Sequence, residues 1–279
     1  MTSFRRSAKT RLPLIGGLAA VLLAATACGS SSSSDSADSA ENAAGTSLAD
    51  VRKAGVLTVG TEGTYRPFTF HEGGSGELTG YDVEVAKAVG DELGVKVKFE
   101  ETQWDAIFAG LDSGRMDMIA NQVSITDERE ADYDFSTPYT VSPGVIVVNE
   151  GDDSISSFDD LEGKTTAQSL TSNWYTLAED SGAKVEAVEG WAQAVALLEQ
   201  GRVDATVNDE LTFLDYETTE GDTGLEIAAT TEDEARNAFA FRTGSDSLIK
   251  AVDKALADLR ADGTLAEISE KYFGEDVSR

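Results

Sequence analysis

Trp104-Asp105-Ala106-Ile107-Phe108-Ala109-Gly110-Leu111-Asp112-Ser113-Gly114-Arg115-Met116-Asp117 has a counterpart later in the chain, from Trp191 to Asp204 (W-A-Q-A-V-A-L-L-E-Q-G-R-V-D). At one fixed offset Trp104 meets Trp191, Ala109 meets Ala196, Leu111 meets Leu198, and Gly114, Arg115 and Asp117 meet Gly201, Arg202 and Asp204. Further along, Asn121 falls opposite Asn208 and Gln122 opposite Asp209. The segments before the tryptophans echo as well, as G-V-K-V from Gly94 and G-A-K-V from Gly182. Helix–glycine–strand units look alike in many chains. A spacing kept from tryptophan through asparagine reads instead as two related lobes.

Periodicity around the repeat gives each lobe its class. Strands are predicted over 56–60, 95–99 and 116–120, with helices over 83–93 and 104–113. The pattern returns as strands over 164–168, 184–188 and 203–207, with helices over 172–181 and 191–200. Strand alternating with helix is the signature of an α/β fold with a mostly parallel sheet. A helix over 211–216, strands over 224–229 and 235–241, and helices over 247–260 and 264–272 follow. The tail from Gly274 is expected to fray.

Ligands of open α/β sheets bind beyond the C-terminal ends of the strands. Two facing lobes bring four such ends to one cleft: Glu62–Phe68, Asn121–Arg129, Leu170–Asn173 and Asn208–Asp209. In N-Q-V-S-I-T-D-E-R, from Asn121 to Arg129, a strand end, a polar turn and a helix start are expected in succession. Thr126 is a candidate N-cap ahead of the acidic Asp127 and Glu128. Arg129 has two readings, a surface cation paired with Asp127 or Asp132, or a bidentate grip on a ligand carboxylate. Asp209 on the other wall supplies the opposite charge, so the cleft suits a zwitterion. Asn121, Gln122, Ser124, Thr171 and Ser172 offer further donors and acceptors. Tyr65, Phe68 and Trp104 fit either a pocket wall or a packed core, and Tyr65, carried on a turn, fits the wall best.

The chain has 279 residues, room for two domains at ~100–200 residues each. Lys+Arg is 22 against Asp+Glu 51, a net charge of -29, which speaks against nucleic acid and polyanionic partners. One cysteine, Cys28, and one histidine, His71, exclude an internal disulfide and a Cys/His zinc cluster. His71 sits in a glycine-rich hairpin tip, a poor place for a catalytic base, and neither a metal nor a cofactor is expected.

The N-terminus reads as an export leader over 1–27. Arg5, Arg6, Lys9 and Arg11 precede an apolar run over 12–25, too short to span a bilayer at ~20 residues. Ala25, Thr26 and Ala27 lead into Cys28. The run resembles a bacterial lipobox, with Ala25 where leucine is usual. An ordinary secretory leader with a chance cysteine is the other reading. A Ser/Ala/Asp-rich tether is expected over 28–47, lacking the apolar bulk to offset its ordering entropy.

Five motifs together resemble the extracellular solute-binding proteins of polar amino-acid ABC importers. They are G-T-E-G-T-Y-R-P-F-T-F from Gly60, L-T-G-Y-D-V-E-V-A from Leu78, N-Q-V-S-I-T-D-E-R from Asn121, Y-D-F-S-T-P-Y from Tyr133 and D-G-T-L-A-E-I-S-E-K-Y-F-G from Asp262. The likeness spans Leu48 to Gly274. Asn121–Ser124 and A-Q-S-L-T-S-N at Ala167–Asn173 look most like the cystine-binding branch. The resemblance implies a two-lobed, periplasmic-binding-protein-like (type II) fold, lobe one from 48–142 plus 237–279 and lobe two from 143–236. It implies that Arg129 grips the α-carboxylate with the amides of Ser124 and Ser172, that Asp209 accepts from the α-amino group, and that Tyr65 and Trp104 flank the side chain. Glu62 stands where relatives often carry an acid that touches the ligand, and Gln122 replaces the small residue of many relatives. The implied partners are a free polar amino acid, cystine first, an ABC permease, and a membrane reached through lipid on Cys28 at the extracellular face. A ligand-sensing lipoprotein that docks on a receptor is one alternative. A dehydratase of cyclohexadienyl acids on this fold, with Glu62 as general acid, is another.

Overall fold

A computed structural model describes residues 44–278. The predicted leader, Cys28 and most of the predicted tether lie outside the described residues. The first half carries α1 (Leu48–Ala54), β1 (Val56–Thr61), β2 (Thr64–Tyr65), β3 (Thr69–His71), β4 (Leu78–Thr79), α2 (Tyr81–Leu93), β5 (Lys96–Glu101) and α3 (Trp104–Asp112). β6 (Met118–Ser124), α4 (Asp127–Glu130), β7 (Tyr133–Phe135) and β8 (Thr140–Asn149) follow. Then come β9 (Thr165–Gln168), α5 (Asn173–Asp180), β10 (Lys184–Ala187), α6 (Trp191–Glu199), β11 (Thr206–Asp209) and α7 (Glu210–Glu220). β12 (Leu225–Arg242), α8 (Asp246–Ala261) and α9 (Thr264–Phe273) close the chain.

Strands pair in the order β11-β8-β12-β6-β1-β5, with β7 beside β12. β1 is parallel to β5 and β6, while β12 is antiparallel to β6 and β8. β9 and β10 form a parallel pair, joined by a Thr166–Ala205 bridge to the approach of β11. The fold is therefore the two-lobed α/β arrangement, with one half of β12 serving each lobe.

The period of two along the strands builds two cores per lobe. In β6, Met118 and Ala120 enter the cluster under α2 and α8, whereas Ile119 and Val123 enter the cluster under α3. In β8, Val145 and Val147 pack toward α6, whereas Ile146 and Val148 pack toward α5. Strands covered on both faces read as continuous apolar runs rather than as alternation.

Several expectations need correction. The strand expected over 116–120 is Met118–Ser124, so Asn121–Ser124 is buried strand rather than a polar turn. Its polar side chains hide because each bonds to a neighbour from another element: Asn121 to Glu62, Gln122 to Asp82, and Ser124 Oγ to Asn237 Oδ1 at 2.8 Å. The strand expected over 203–207 likewise lies further on, at Thr206–Asp209. The two strands expected over 224–229 and 235–241 are one strand, β12, whose polar middle pairs irregularly with β8 between Thr230 and Glu234. As far as Ser278 the tail does not fray. Val277 is buried, its carbonyl accepts from Val141 N at 2.9 Å, and Ser278 O accepts from Arg260. The end of the predicted tether is docked too: Thr46 N donates to Ser245 Oγ at 3.1 Å, and Ser47 caps α1.

One irregularity matters for the site. Val123 pairs with Ala238 and Ile119 with Ala240, so β6 carries extra residues in a bulge opposite β12. Gln122 sits in that bulge at φ 48, the one non-glycine with positive φ among the described residues. Bulges and left-handed residues of this kind cluster next to functional sites, where they re-aim a side chain.

Candidate ligand-binding site

Between the lobes lies a cavity of about 540 Å³. The first lobe contributes Glu62, Tyr65, Trp104, Asn121 and Gln122; the second contributes Gln168, Ser172, Trp174, Trp191 and Asn208. Hydrogen bonds cross the cleft around it. Tyr65 Oη donates to Asn208 Oδ1 at 2.8 Å, and Thr171 Oγ1 donates to Asp105 Oδ1 at 2.8 Å. Gln103 Nε2 donates to Glu189, and Arg66 pairs with Asp215 at 3.2 Å. The lobes are thus closed on one another.

Local structure aims each group. β1 ends at Thr61, and the chain turns at Gly63 (φ 75) to place Glu62 over the strand ends. Asn121 locks it there: Asn121 Oδ1 accepts from Glu62 N at 2.8 Å while Asn121 Nδ2 donates to Glu62 Oε2 at 2.6 Å. Burial pushes the Glu62 carboxyl up to about 7 against those bonds, with Asp105 adding a little. In the bulge, Gln122 N and Nε2 both donate to Asp82, at 2.6 and 2.9 Å, and burial still lifts that carboxyl to about 7. Tyr65 is held protonated, its phenol raised first by burial and then by Asp209.

Arg129 is buried, which removes the surface-cation reading. Thr126 caps the short helix and accepts from Arg129 N at 3.3 Å. The guanidinium donates to Ser124 O at 2.8 Å and, across the cleft, to Thr171 O at 3.3 Å. It lies 5.3 Å from the Trp104 ring and 5.6 Å from Phe108. No carboxylate stands within ion-pair distance of it among the described residues, and burial lowers it to about 10. Across the cleft, Asp209 is buried without a cation. Its carboxylate accepts from Ser142 Oγ at 2.6 Å and caps α7 through Leu211 N at 2.9 Å, while burial raises it to about 6.

The residues singled out from sequence therefore divide. Glu62, Tyr65, Trp104, Asn121, Gln122 and Ser172 line the cavity. Arg129, Thr171 and Asp209 stand behind that lining, each adjacent in sequence or contact to a residue on it. Ser124 borders a second cavity near the crossover, and Phe68 is fully buried in the core, 5.1 Å from Tyr65 and 5.9 Å from Phe273. Asn208, placed at the cleft as part of the Asn208–Asp209 strand end, lines the cavity as well, whereas sequence reasoning passed over Gln168, Trp174 and the first turn of α6. The repeat held the signal for one of these, since Trp191 is the partner of Trp104. No lysine, arginine or histidine lines the cavity, whereas Glu62, Glu101 and Glu189 do. Among the described residues no acidic, cysteine or histidine cluster is placed to hold a metal ion.

Residues 57–275 match the bacterial extracellular solute-binding proteins, family 3. The chain belongs to that family. This solute-binding protein is 54% identical over 231 residues to the L-cystine-binding protein TcyA of Bacillus subtilis (strain 168), covering 83% of this chain and 86% of that one. It is 51% identical over 229 residues to a probable amino-acid ABC transporter-binding protein of Haemophilus influenzae, covering 82% and 89%. Among solved structures, an ancestral arginine-binding protein bound to arginine superposes with a TM-score of 0.74 at 39% identity, covering 79% of this chain and 99% of that one. The L-cystine solute receptor of Neisseria gonorrhoeae, unliganded and open, is 45% identical yet superposes at only 0.57, covering 83% and 99%. Higher identity with lower superposition is what lobe closure in this chain produces against an open relative. The named relatives are binding proteins of amino-acid transport, and the family places this one outside the cytoplasm.

Proposed function

We propose that this solute-binding protein captures a polar amino acid, cystine first, between its lobes and hands it to an ABC permease. The observation that carries this reading is Arg129, a buried guanidinium with backbone carbonyls for partners and no counter-ion. A buried charge left unpaired is strongly unfavourable, so a ligand carboxylate is the natural complement. Asp209 is its inverse, a buried carboxylate without a cation, suited to an α-ammonium. Ser124 adds a backbone donor, whereas the Ser172 amide is given to Ser169 O at 3.0 Å; Tyr65 and Trp104 flank the side chain, and Glu62 stands where relatives often carry an acid that touches the ligand. Three or four charge-assisted bonds at ~1.5–3 kcal/mol each, less the energy of closure, support micromolar binding, about 8 kcal/mol. Cystine comes first because the relatives named as cystine-binding include one at 54% identity.

Capture proceeds by hinge closure, and the closed form is what the permease reads. Lobe one comprises 48–142 and 237–279, lobe two 143–236, and lipid on Cys28 holds the protein at the outer face of the membrane. A thermal-shift screen against the common amino acids and cystine tests the reading. A ligand at a hundred times its Kd adds ~2.7 kcal/mol of stability. A shift with another amino acid alone would keep the class and remove cystine, and no shift with any would overturn the reading.

One observation favours a second reading. A carboxyl poised at about 7, as Glu62 is, is what a general acid needs, and a solved relative at 33% identity is described as an ancestral amino acid-binding protein, a precursor of cyclohexadienyl dehydratase. Absence of prephenate and arogenate turnover by the wild type would exclude it.

A further inference from the structure

The cavity has a second polar end, which the head-group contacts above leave unused. α6 opens after Gly190, whose residue type supplies no side-chain cap, and Glu189, Trp191 and Gln193 of this turn line the cavity. Gln193 N and Ala194 N turn back to Gly190 O at 3.2 Å, while the amides of Trp191 and Ala192 have no acceptor among the described residues. Such free amides carry the positive end of a nine-residue helix.

An independent observation lies beside them. Val188 N donates to Gln168 O at 3.0 Å, which sets the end of β9 next to Glu189. Gln168 is 4% exposed. Its Oε1 accepts from Thr166 Oγ1 at 3.0 Å, which fixes the amide, and its Nε2 has no acceptor. The indole Nε1 of Trp191 has none either. These unsatisfied groups are all donors, and a buried donor without a partner is unfavourable by about 1–3 kcal/mol. A charged acceptor next to this turn is Glu189, which accepts from Gln103 of the opposite lobe.

We propose that Gln168, Glu189 and the first turn of α6 form a second zwitterion subsite, which takes the far head group of an α,α′-diamino dicarboxylate. The far carboxylate lies on the α6 amides and Gln168 Nε2. The far ammonium replaces Gln103 as the donor to Glu189. The inference rests on the reading that Arg129 and Asp209 hold the near head group, and it names the ligand class by its two ends. The cavity of about 540 Å³ has room for such a molecule.

Calorimetry with L-cystine and with S-methyl-L-cysteine, which has one head group, tests it on purified protein freed of carried-over ligand. The variants are Gln168→Glu, which keeps the acceptor facing Thr166 but puts an anion where the far carboxylate sits, and Glu189→Gln. Each should lower the affinity ratio of cystine to S-methylcysteine by at least tenfold. Thermal melts of the ligand-free variants check the fold, and Gln168→Met serves if Gln168→Glu does not fold. An unchanged ratio, or wild-type protein that prefers S-methylcysteine, would overturn the subsite and leave the amino-acid reading standing. Wild-type protein that binds no amino acid would overturn both.

Discussion

The phenol of Tyr65 donates to Oδ1 of Asn208 at 2.8 Å, tying the first turn of one lobe to the last strand end of the other. Thr212 Oγ1 donates to the same phenol at 3.2 Å. Tyr65→Phe removes both bonds while keeping the ring against Phe68. At ~0.5–1.5 kcal/mol for each of the two bonds, the closed form should lose about 1–3 kcal/mol, enough to weaken ligand binding about five- to a hundredfold. Calorimetry measures the affinity, and small-angle scattering should show an expanded ligand-free protein.

Arg129→Met and Asp209→Asn should each weaken amino-acid binding by at least tenfold. Asparagine is chosen because it keeps the N-cap of α7, where alanine would remove about 1 kcal/mol of stability as well. Thermal melts without ligand separate the two effects. A variant of either residue that binds as the wild type does would contradict its assignment.

Glu62 and Asp82 stand at about 7 and Asp209 at about 6, all above their ordinary values of 4.5 and 3.8. A carboxyl raised on folding binds its proton more tightly in the native state. The stability it lends is present below about pH 4 and is lost as pH rises to about 7. Ligand-free protein should therefore melt at a lower temperature at pH 7.5 than at pH 5. An ammonium prefers the ionised Asp209, so ligand affinity should rise over the same interval, and Asp209→Asn should flatten that rise. Melting curves and calorimetry between pH 5 and 8 check both slopes.

Deleting residues 275–279 should destabilise the protein by about 2–4 kcal/mol. It strips a buried valine, worth ~1.5–3 kcal/mol, and the bonds from Val141 and Arg260. Denaturant unfolding measures the loss, and an unchanged midpoint would show that the tail's docking is not stabilising.

The repeat was legible because helix faces and glycine stops are local signals, and it carried the fold class with it. Trp104 and Asn121 on the cavity wall were legible for the same reason. The bulge at Gln122 was not, because it depends on what β12 places opposite. Nor was the burial of Arg129: a side chain reads as surface until a second lobe is laid over it. Phe68 was ambiguous on its face, since an aromatic after a cleft turn serves wall and core equally well. The single length of β12 escaped notice because its exposed, acidic middle looks like a loop between two strands.

Asn149 pairs with Leu225, and Glu150 N donates to Gly224 O at 2.8 Å. The chain therefore leaves and re-enters at one doorway. Everything from 150 to 224, including both second-lobe tryptophans of the cavity wall, begins and ends on two adjacent strands, while β11 within it pairs with β8 outside it. A unit with neighbouring ends can be lifted out and exchanged between relatives with few junctions to repair. Half of the recognition surface would travel with such a graft, so chimaeras at this doorway offer a route to new ligand preferences, provided that the β8 face packed on α5 and α6 is kept matched to the insert.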